Sequence, residues 1–369
     1  DATDRDEPDL LTEVSLAWNV AHVVEIGDSL WQIENGQSWQ SDIKTRVRIT
    51  DKEDFDSVKT DFYLEPGAVA GLHRVGSKLY VGRYRQWNEK IEVPGEENPF
   101  PDGEEPEAWE PEPVFDWVRH NEFSTDVIDV SDPMEPSLLG SVTHDLGKGY
   151  QIGGLTTADG SFVNGHLVWR PKVTSNRYWG GWFFDDIAIA ADIDFGWGGG
   201  GYWGGYSYYD SVSILAVNVD DPAEPFIASA TVIDPKDSVE FGPMIVQDER
   251  LLLSYKRTTY FETKEGNNYL NRYHLRDVSF ADPAHPVVNN AVSLPGMLEG
   301  VVDDNGGLVL ISTAPKYAQN DQRHWFESSN SVLQASVYDG TQAYLVTEVT
   351  ALEGRYTSTV VLNGQIYKT

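Results

Sequence analysis

The chain contains no cysteine and only three methionines in 369 residues, and basic side chains are scarce, 27 against 59 acidic ones. The missing cysteine removes disulfide frameworks, thiolate metal sites and cysteine nucleophiles together. The shortage of Lys and Arg leaves a formal net charge of −32, a field that repels phosphate backbones and anionic lipid and favours cations and basic partners. Nucleic-acid binding is therefore not expected. Long hydrophobic runs are also missing. No apolar segment approaches the roughly 18 residues of a membrane span, and no basic and apolar leader precedes Asp1. The expectation is a soluble chain from which any export signal has been removed.

Catalytic signatures are absent as well. The sequence has no G-x-S-x-G elbow, no P-loop and no H-E-x-x-H, so nucleophilic hydrolysis, nucleotide use and zinc catalysis lack an anchor. Gly196-Trp-Gly198-Gly-Gly-Gly201 satisfies G-x-G-x-x-G, but a pyrophosphate site needs a strand before that motif and a helix N-terminus after it. Neither is expected in this Gly-rich tract. Paired carboxylates such as Asp303-Asp304 sit where hairpin turns are predicted and suit turn formation better than acid–base chemistry.

What the chain has in quantity is turn and strand material: 33 Gly, 19 Pro and 12% aromatic residues. One phrase recurs. Asp129-Val-Ser-Asp132-Pro-Met-Glu135-Pro136, Asn218-Val-Asp-Asp221-Pro-Ala-Glu224-Pro225 and Asp282-Pro-Ala-His285-Pro286 each precede an alternating strand. Two prolines fix φ and remove donors while the Asp bonds nearby amides, so the phrase predicts a corner between strands. Degenerate versions stand at Asp51-Lys-Glu-Asp54 and Asp339-Gly-Thr.

A second phrase, a polar or Gly turn followed by a hydrophobic strand, begins at Gly27, Gly76, Asp159, Asp248, Asn305 and Asn363. Leu30 to Leu79 is 49 residues, Leu251 to Leu308 is 57 and Leu308 to Ile366 is 58. A period of this size with four short strands per unit predicts an all-β fold, a β-propeller of six blades of four antiparallel strands in one domain over residues 1–369. Glycines such as Gly67, Gly147, Gly296 and Gly354 mark the turn before each new innermost strand. The chain opens on Asp1-Ala-Thr-Asp4-Arg-Asp-Glu7-Pro8, the end of a repeat, and closes on the start of one. The N-terminal and C-terminal strands are therefore expected to pair in one blade and close the ring. A seven- or eight-bladed ring of which this chain is a piece fits the same phase.

Two long intervals, 83 residues from Leu79 to Phe162 and 89 from Phe162 to Leu251, require inserts. The first, 93–118, is acidic and Pro-rich and reads as a surface loop. The second, 177–210, is rich in Gly, Trp and Tyr. Trp179, Trp182, Trp197, Tyr202, Trp203 and Tyr206 are the binding candidates, since aromatic rings on a loop stack on sugars or peptides; a self-packed loop is the alternative. Within it Asp185, Asp186, Asp192 and Asp194 cluster oxygens suited to Ca²⁺ without EF-hand spacing, so an acidic turn competes with a calcium site. His22 and His73 fall in predicted innermost strands, as channel ligands for a metal or as ordinary hydrogen-bonded histidines.

At its corners the sequence resembles the secreted bacterial β-propeller domain proteins distantly related to WD40 repeats, with their LVIVD-type repeats. Leu72-His-Arg-Val-Gly-Ser-Lys-Leu-Tyr-Val-Gly-Arg and Asp126-Val-Ile-Asp-Val-Ser-Asp-Pro-Met-Glu-Pro carry the resemblance. It implies an exported, extracellular or cell-envelope location in a bacterium and no shared catalytic residue. The functional expectation is a noncatalytic module binding a protein or glycan at the cell surface. The alternatives are a metal-assisted hydrolase or lyase at the central channel and a structural subunit of a larger surface assembly.

Overall fold

The computed structural model describes residues 20–35, 43–93, 114–146, 158–179, 205–233, 239–263, 266–304, 307–319, 325–353, 359–362 and 365–368. Every regular element among them is a strand. The first sheet holds β1 (Val20–Ile26), β2 (Ser29–Glu34), β3 (Lys44–Asp51) and β4 (Asp54–Pro66). The second holds β5 (Ala68–Val75), β6 (Lys78–Val93), β7 (Val114–Asp129) and β8 (Ser137–Asp145), and the third β9 (Ala158–Val163), β10 (His166–Trp179), β11 (Gly205–Asn218) and β12 (Phe226–Ile233). In the fourth, β13 (Val239–Gln247), β14 (Arg250–Thr263) and β15 (Gly266–Ser279) are completed by β16 (Val287–Val288) and β17 (Val292–Leu294), which share the outer edge of β15. The fifth contains β18 (Met297–Asp304), β19 (Gly307–Gln319), β20 (Trp325–Tyr338) and β21 (Ala343–Glu353), and the sixth β22 (Thr359–Leu362) and β23 (Gln365–Lys368). In every sheet the strands follow chain order. The fold is all-β and built of repeated four-stranded sheets.

The chain divides into two compact units, Asp1–Gly149 with Thr157–Ser161 and Val217–Ala228, and Tyr150–Thr156 with Phe162–Ala216 and Ser229–Thr369. In the first unit Trp31, Ile33, Val47, Ile49 and Leu64 of the first sheet form one apolar core with Val69, Leu79, Val81 and Ile128 of the second. In the second unit Leu252, Tyr273, Leu275 and Leu294 of the fourth sheet pack with Leu298, Leu310 and Tyr338 of the fifth. Both β2 and β3 are interior strands of the first sheet, yet β2 is buried along nearly its whole length whereas β3 alternates.

The three Asp-Pro phrases form the same corner. Asp132, Asp221 and Asp282 each accept the amide two residues on, from Met134, Ala223 and Ala284, all at 3.0 Å. Their carbonyls accept from Glu135, Glu224 and His285 at 3.1, 3.2 and 3.0 Å. This is an Asx turn inside a β-turn whose Pro sits where φ is already fixed. The degenerate corners keep the device without the prolines: Asp51 accepts the Glu53 amide at 2.9 Å and Asp339 the Thr341 amide at 2.8 Å. Each closes a tight hairpin.

A second regularity is invisible in the side chains. The first strand of four sheets carries a β-bulge at the same distance from its hairpin turn, at Val20/His22, Val69/Gly71, Phe241/Met244 and Leu298/Gly300. A bulge adds one residue on one strand and sharpens its twist. Gly67 and Gly296 lie two residues before equivalent bulge positions, and a Cβ at either would meet the facing carbonyl, of Tyr84 at 3.2 Å for Gly67 and of Thr313 for Gly296.

Consecutive sheets within a unit meet through the corners. A Cβ at Gly140 of β8 would stand 2.6 Å from the Pro222 carbonyl oxygen and 2.7 Å from Pro225 Cδ. At the matching position of β12, Ser229 donates its hydroxyl to the Pro283 carbonyl at 2.7 Å. Outer strands thus seat on the next corner. Gly140→Val is expected to lower stability by about 1–3 kcal/mol through overpacking, read as a fall in the urea midpoint at unchanged slope.

Three expectations are corrected. The turn expected at Asp159 lies inside β9, and the hairpin closes at Asn164-Gly165, with φ of 45° and 76°. Asn-Gly supplies the two positive φ values that the right-handed twist of a two-residue hairpin demands. The insert edges are strand, because β6 runs to Val93, β7 starts at Val114, β10 ends at Trp179 and β11 starts at Gly205. Asp303 and Asp304 end β18, opposite Leu308 and Gly307. The N-terminal strand expected to pair with β22 and β23 falls outside the described residues.

Candidate functional sites

In every four-stranded sheet the connection between second and third strands leaves from the end opposite the hairpin turn and the corner. Both inserts occupy this position, after β6 and after β10. The middle hairpins are long, 16 residues for β6 and β7 and 14 for β10, β11, β14 and β15. Their distal segments are rich in aromatic positions. Trp117 pairs with Lys90 and Phe115 with Glu92, Tyr260 with Tyr269, and Trp325 with Gln319.

On the second sheet this segment carries a charged aromatic cluster. Trp87 and His120 face each other across β6 and β7 and stack at 4.9 Å with 12° between planes. The Arg85 guanidinium lies 4.7 Å from the Trp87 ring centre, a cation–π contact. His120 Nε2 lies 2.9 Å from Glu89 Oε2. Burial pushes the Glu122 carboxyl above its ordinary value, aided by Asp145 and opposed by Arg85 and His120.

On the fourth and fifth sheets, in the second unit, a cleft of about 520 Å³ opens between β15 and β17 on one side and β19 and β20 on the other. Asn271, Tyr273, Tyr317 and Gln334 are among its walls, with Arg272 and His274. Its size is that of a small-molecule site. The His274 ring stacks on Tyr255 at 5.1 Å, and burial followed by Arg257, Arg272 and Arg276 lowers its pKa.

Of the residues expected from sequence, Trp179 ends β10 and Tyr206 lies near the start of β11, two strands of one sheet. Trp182, Trp197, Tyr202, Trp203, Asp185, Asp186, Asp192 and Asp194 lie outside the described residues. His22 and His73 sit in the first strands β1 and β5. Burial lowers the pKa of each, against a hydrogen bond to the backbone of Val69 for His22 and of Gly160 for His73. Each ring bonds a strand of the neighbouring sheet. No group of three or more His, Asp or Glu side chains able to hold a metal occurs among the described residues. The Trp87 cluster and the cleft escaped sequence reading, although the alternation of Val114-Phe-Asp-Trp-Val118 was a signal for strand.

These shifts fix a pH response. His22, His73, His144 and His274 all have lowered values, each chiefly through burial. The unfolded chain therefore binds more protons than the folded one below about pH 6.5. Their stabilisation is complete above that pH and declines as pH falls through the lowered folded values. A second loss follows at stronger acidity. The Lys78 ammonium, with the Ser131 amide, holds Asp129 at about 2, so its contribution is present above 3.8 and lost as pH falls toward 2. His285 lowers Asp282, and the Thr341 and Gln342 amides lower Asp339. Thermal melts between pH 7.5 and 3 are expected to show a decline beginning near 6.5 and a steeper one below 4; a flat profile from 7.5 to 5 would contradict the histidine assignment.

No protein-family model matches the chain, and no curated protein matches it.

Proposed function

We propose that the protein is a noncatalytic binding module of the bacterial cell surface, exported, which recognises a glycan or protein through the distal ends of its middle hairpins. The observation that carries this reading is the placement of both inserts and of aromatic positions, in each sheet by itself, at the end opposite its hairpin turn. Rings at the ends of a rigid strand pair offer contact area at low ordering cost. The six sheets are read as the blades of a propeller, with the N-terminal segment completing the blade of β22 and β23; the repeated seating of outer strands on the next corner favours this. Deletion of residues 1–14 then exposes a sheet edge and is expected to promote association and lower the melting temperature.

Glycan arrays and pulldowns from cell envelopes test the reading, using the whole chain beside a variant with alanine at Trp179, Trp182, Trp197 and Trp203. Binding lost by the variant supports it; equal binding, or none by either, sinks it. Chelation is expected to leave binding unchanged, and loss restored by Ca²⁺ would bring Asp185, Asp186, Asp192 and Asp194 into the site.

A further inference from the structure

The chain holds three sulfur atoms, all in methionine, and two of them are gripped across a joint between sheets by a buried serine. Ser29 on β2 donates its hydroxyl to Met134 Sδ at 3.2 Å, and Ser254 on β14 donates to Met297 Sδ at 3.1 Å. Both serines are buried, whereas both methionines are half-buried at the margin of a core shared by two sheets. A hydroxyl has one proton to donate, and here it goes to a weak acceptor. The second grip is the tighter. Ser254 Oγ also accepts the Leu298 amide at 3.1 Å, so the sulfur, the hydroxyl and the start of β18 form one chain of bonds inside the core of the fourth and fifth sheets. The space around the sulfur is filled: a Cβ at Gly242 of β13 would stand 2.7 Å from Met297 Sδ and 2.6 Å from Ser254 Oγ. Met297 pairs with Thr313, and Pro295 and Ala314, close by in the chain, line the cleft between the same two sheets.

We propose that Met297 is an oxidation site, and that its conversion to the sulfoxide loosens the joint between the fourth and fifth sheets at the edge of their cleft. Hydrogen peroxide is the oxidant. A sulfur lone pair attacks one peroxide oxygen, the O–O bond breaks, and the attacked oxygen passes its proton to the departing one, which leaves as water. The sulfur loses two electrons to the peroxide and carries a polar S–O group in place of an apolar thioether. That oxygen needs room which the β13 backbone and Ser254 Oγ already fill, so Ser254 is displaced. The Leu298 amide then loses its acceptor in a dry core, and an unsatisfied buried amide is destabilising. Met134 oxidises with a smaller effect, because it sits in a corner and not on a strand of the core. A half-buried thioether is reached by a small peroxide without unfolding, so the change is a response to oxidant and not a product of denaturation.

Titration of the whole chain with hydrogen peroxide is the test, with peptide mass mapping to locate each sulfoxide and thermal melts alongside. Met297 sulfoxide is expected to accumulate in step with a fall in melting temperature of about 3 °C or more. Met297→Leu, which nearly conserves volume, should fall less than about half as far from its own untreated value, while Met134→Leu should fall almost as far as the parent. Ser254→Ala should melt lower before treatment and respond little to it, since the Leu298 amide has already lost its acceptor. Met297 left unmodified while Met134 or Met244 is converted, complete oxidation of Met297 at an unchanged melting temperature, or an equal fall in Met297→Leu would overturn the proposal. A full response in Ser254→Ala would also overturn it, because the oxidised sulfur would then act without the serine.

Discussion

Replacing Asp126 by alanine is expected to lower the unfolding free energy by about 3–5 kcal/mol, since it strands a buried charge. Asp126 on β7 is 1% exposed and Arg83 on β6 is 4% exposed. Arg83 Nε donates to Asp126 Oδ2, and Nη2 donates to Oδ1 at 2.9 Å, a two-pronged pair. Ser141 on β8 donates to the same carboxylate at 2.8 Å. The guanidinium also reaches back to the first sheet, where Nη1 donates to the carbonyls of Glu65 at 2.6 Å and Pro66 at 3.0 Å. The pair therefore fixes one sheet against the other at the point where β4 passes into β5. Loss of the carboxylate leaves Arg83 charged and dry. Arg83→Met combined with Asp126→Leu removes both charges and is expected to recover most of the loss, because desolvating two ions costs about as much as their attraction returns. Urea melts of the two single variants and the double variant decide it. A double variant no more stable than Asp126→Ala would show that the carbonyl contacts of Arg83, and not the ion pair, hold the junction.

Trp31→Ala is expected to cost about 3–5 kcal/mol, the range for emptying a large aromatic site. Trp31 on β2 is 0% exposed and belongs to the core shared by the first two sheets. Its indole Nε1 is buried and finds no hydrogen-bond partner among the described residues. That orphan donor already costs about 1–3 kcal/mol, so Trp31→Phe loses volume yet sheds the unsatisfied N–H. The two effects oppose, and Trp31→Phe should lie within about 1.5 kcal/mol of the parent. Chemical denaturation separates the cases; a phenylalanine variant as unstable as the alanine one would mean that the indole has a partner in solution.

The corners were readable from sequence because their chemistry is local. Asp132, Asp221 and Asp282 bond amides two residues away, and proline sets φ by itself, so neither needs the rest of the chain. The hairpin at Asn164-Gly165 was equally local, but Asp159-Gly160-Ser161 matched the repeat phrase and displaced it. The bulges could not be read. Ala21 and Ala70 stand at the first two, Gly242-Pro243 at the third and Glu299 at the fourth, so no residue type announces a feature that arises from pairing between strands. The cleft failed for a related reason. Tyr273 and Gln334 come to line one cleft only when two separate sheets pack, and an unpaired amide is a property of its surroundings. The ends of the inserts were misassigned because proline and glutamate in 94–113 overshadowed the alternating residues beside them.

The position of the connections between second and third strands has an evolutionary consequence. They range from two residues, 264–265, to twenty-five, 180–204, yet the strands on either side pair in the same way. Closure entropy grows only with the logarithm of length, so a tenfold longer connection costs roughly 2 kcal/mol. Insertion at these points leaves corners, bulges and cores untouched. Descendants of this chain can lengthen or shorten a tip with little selection needed elsewhere in the protein to keep it folded.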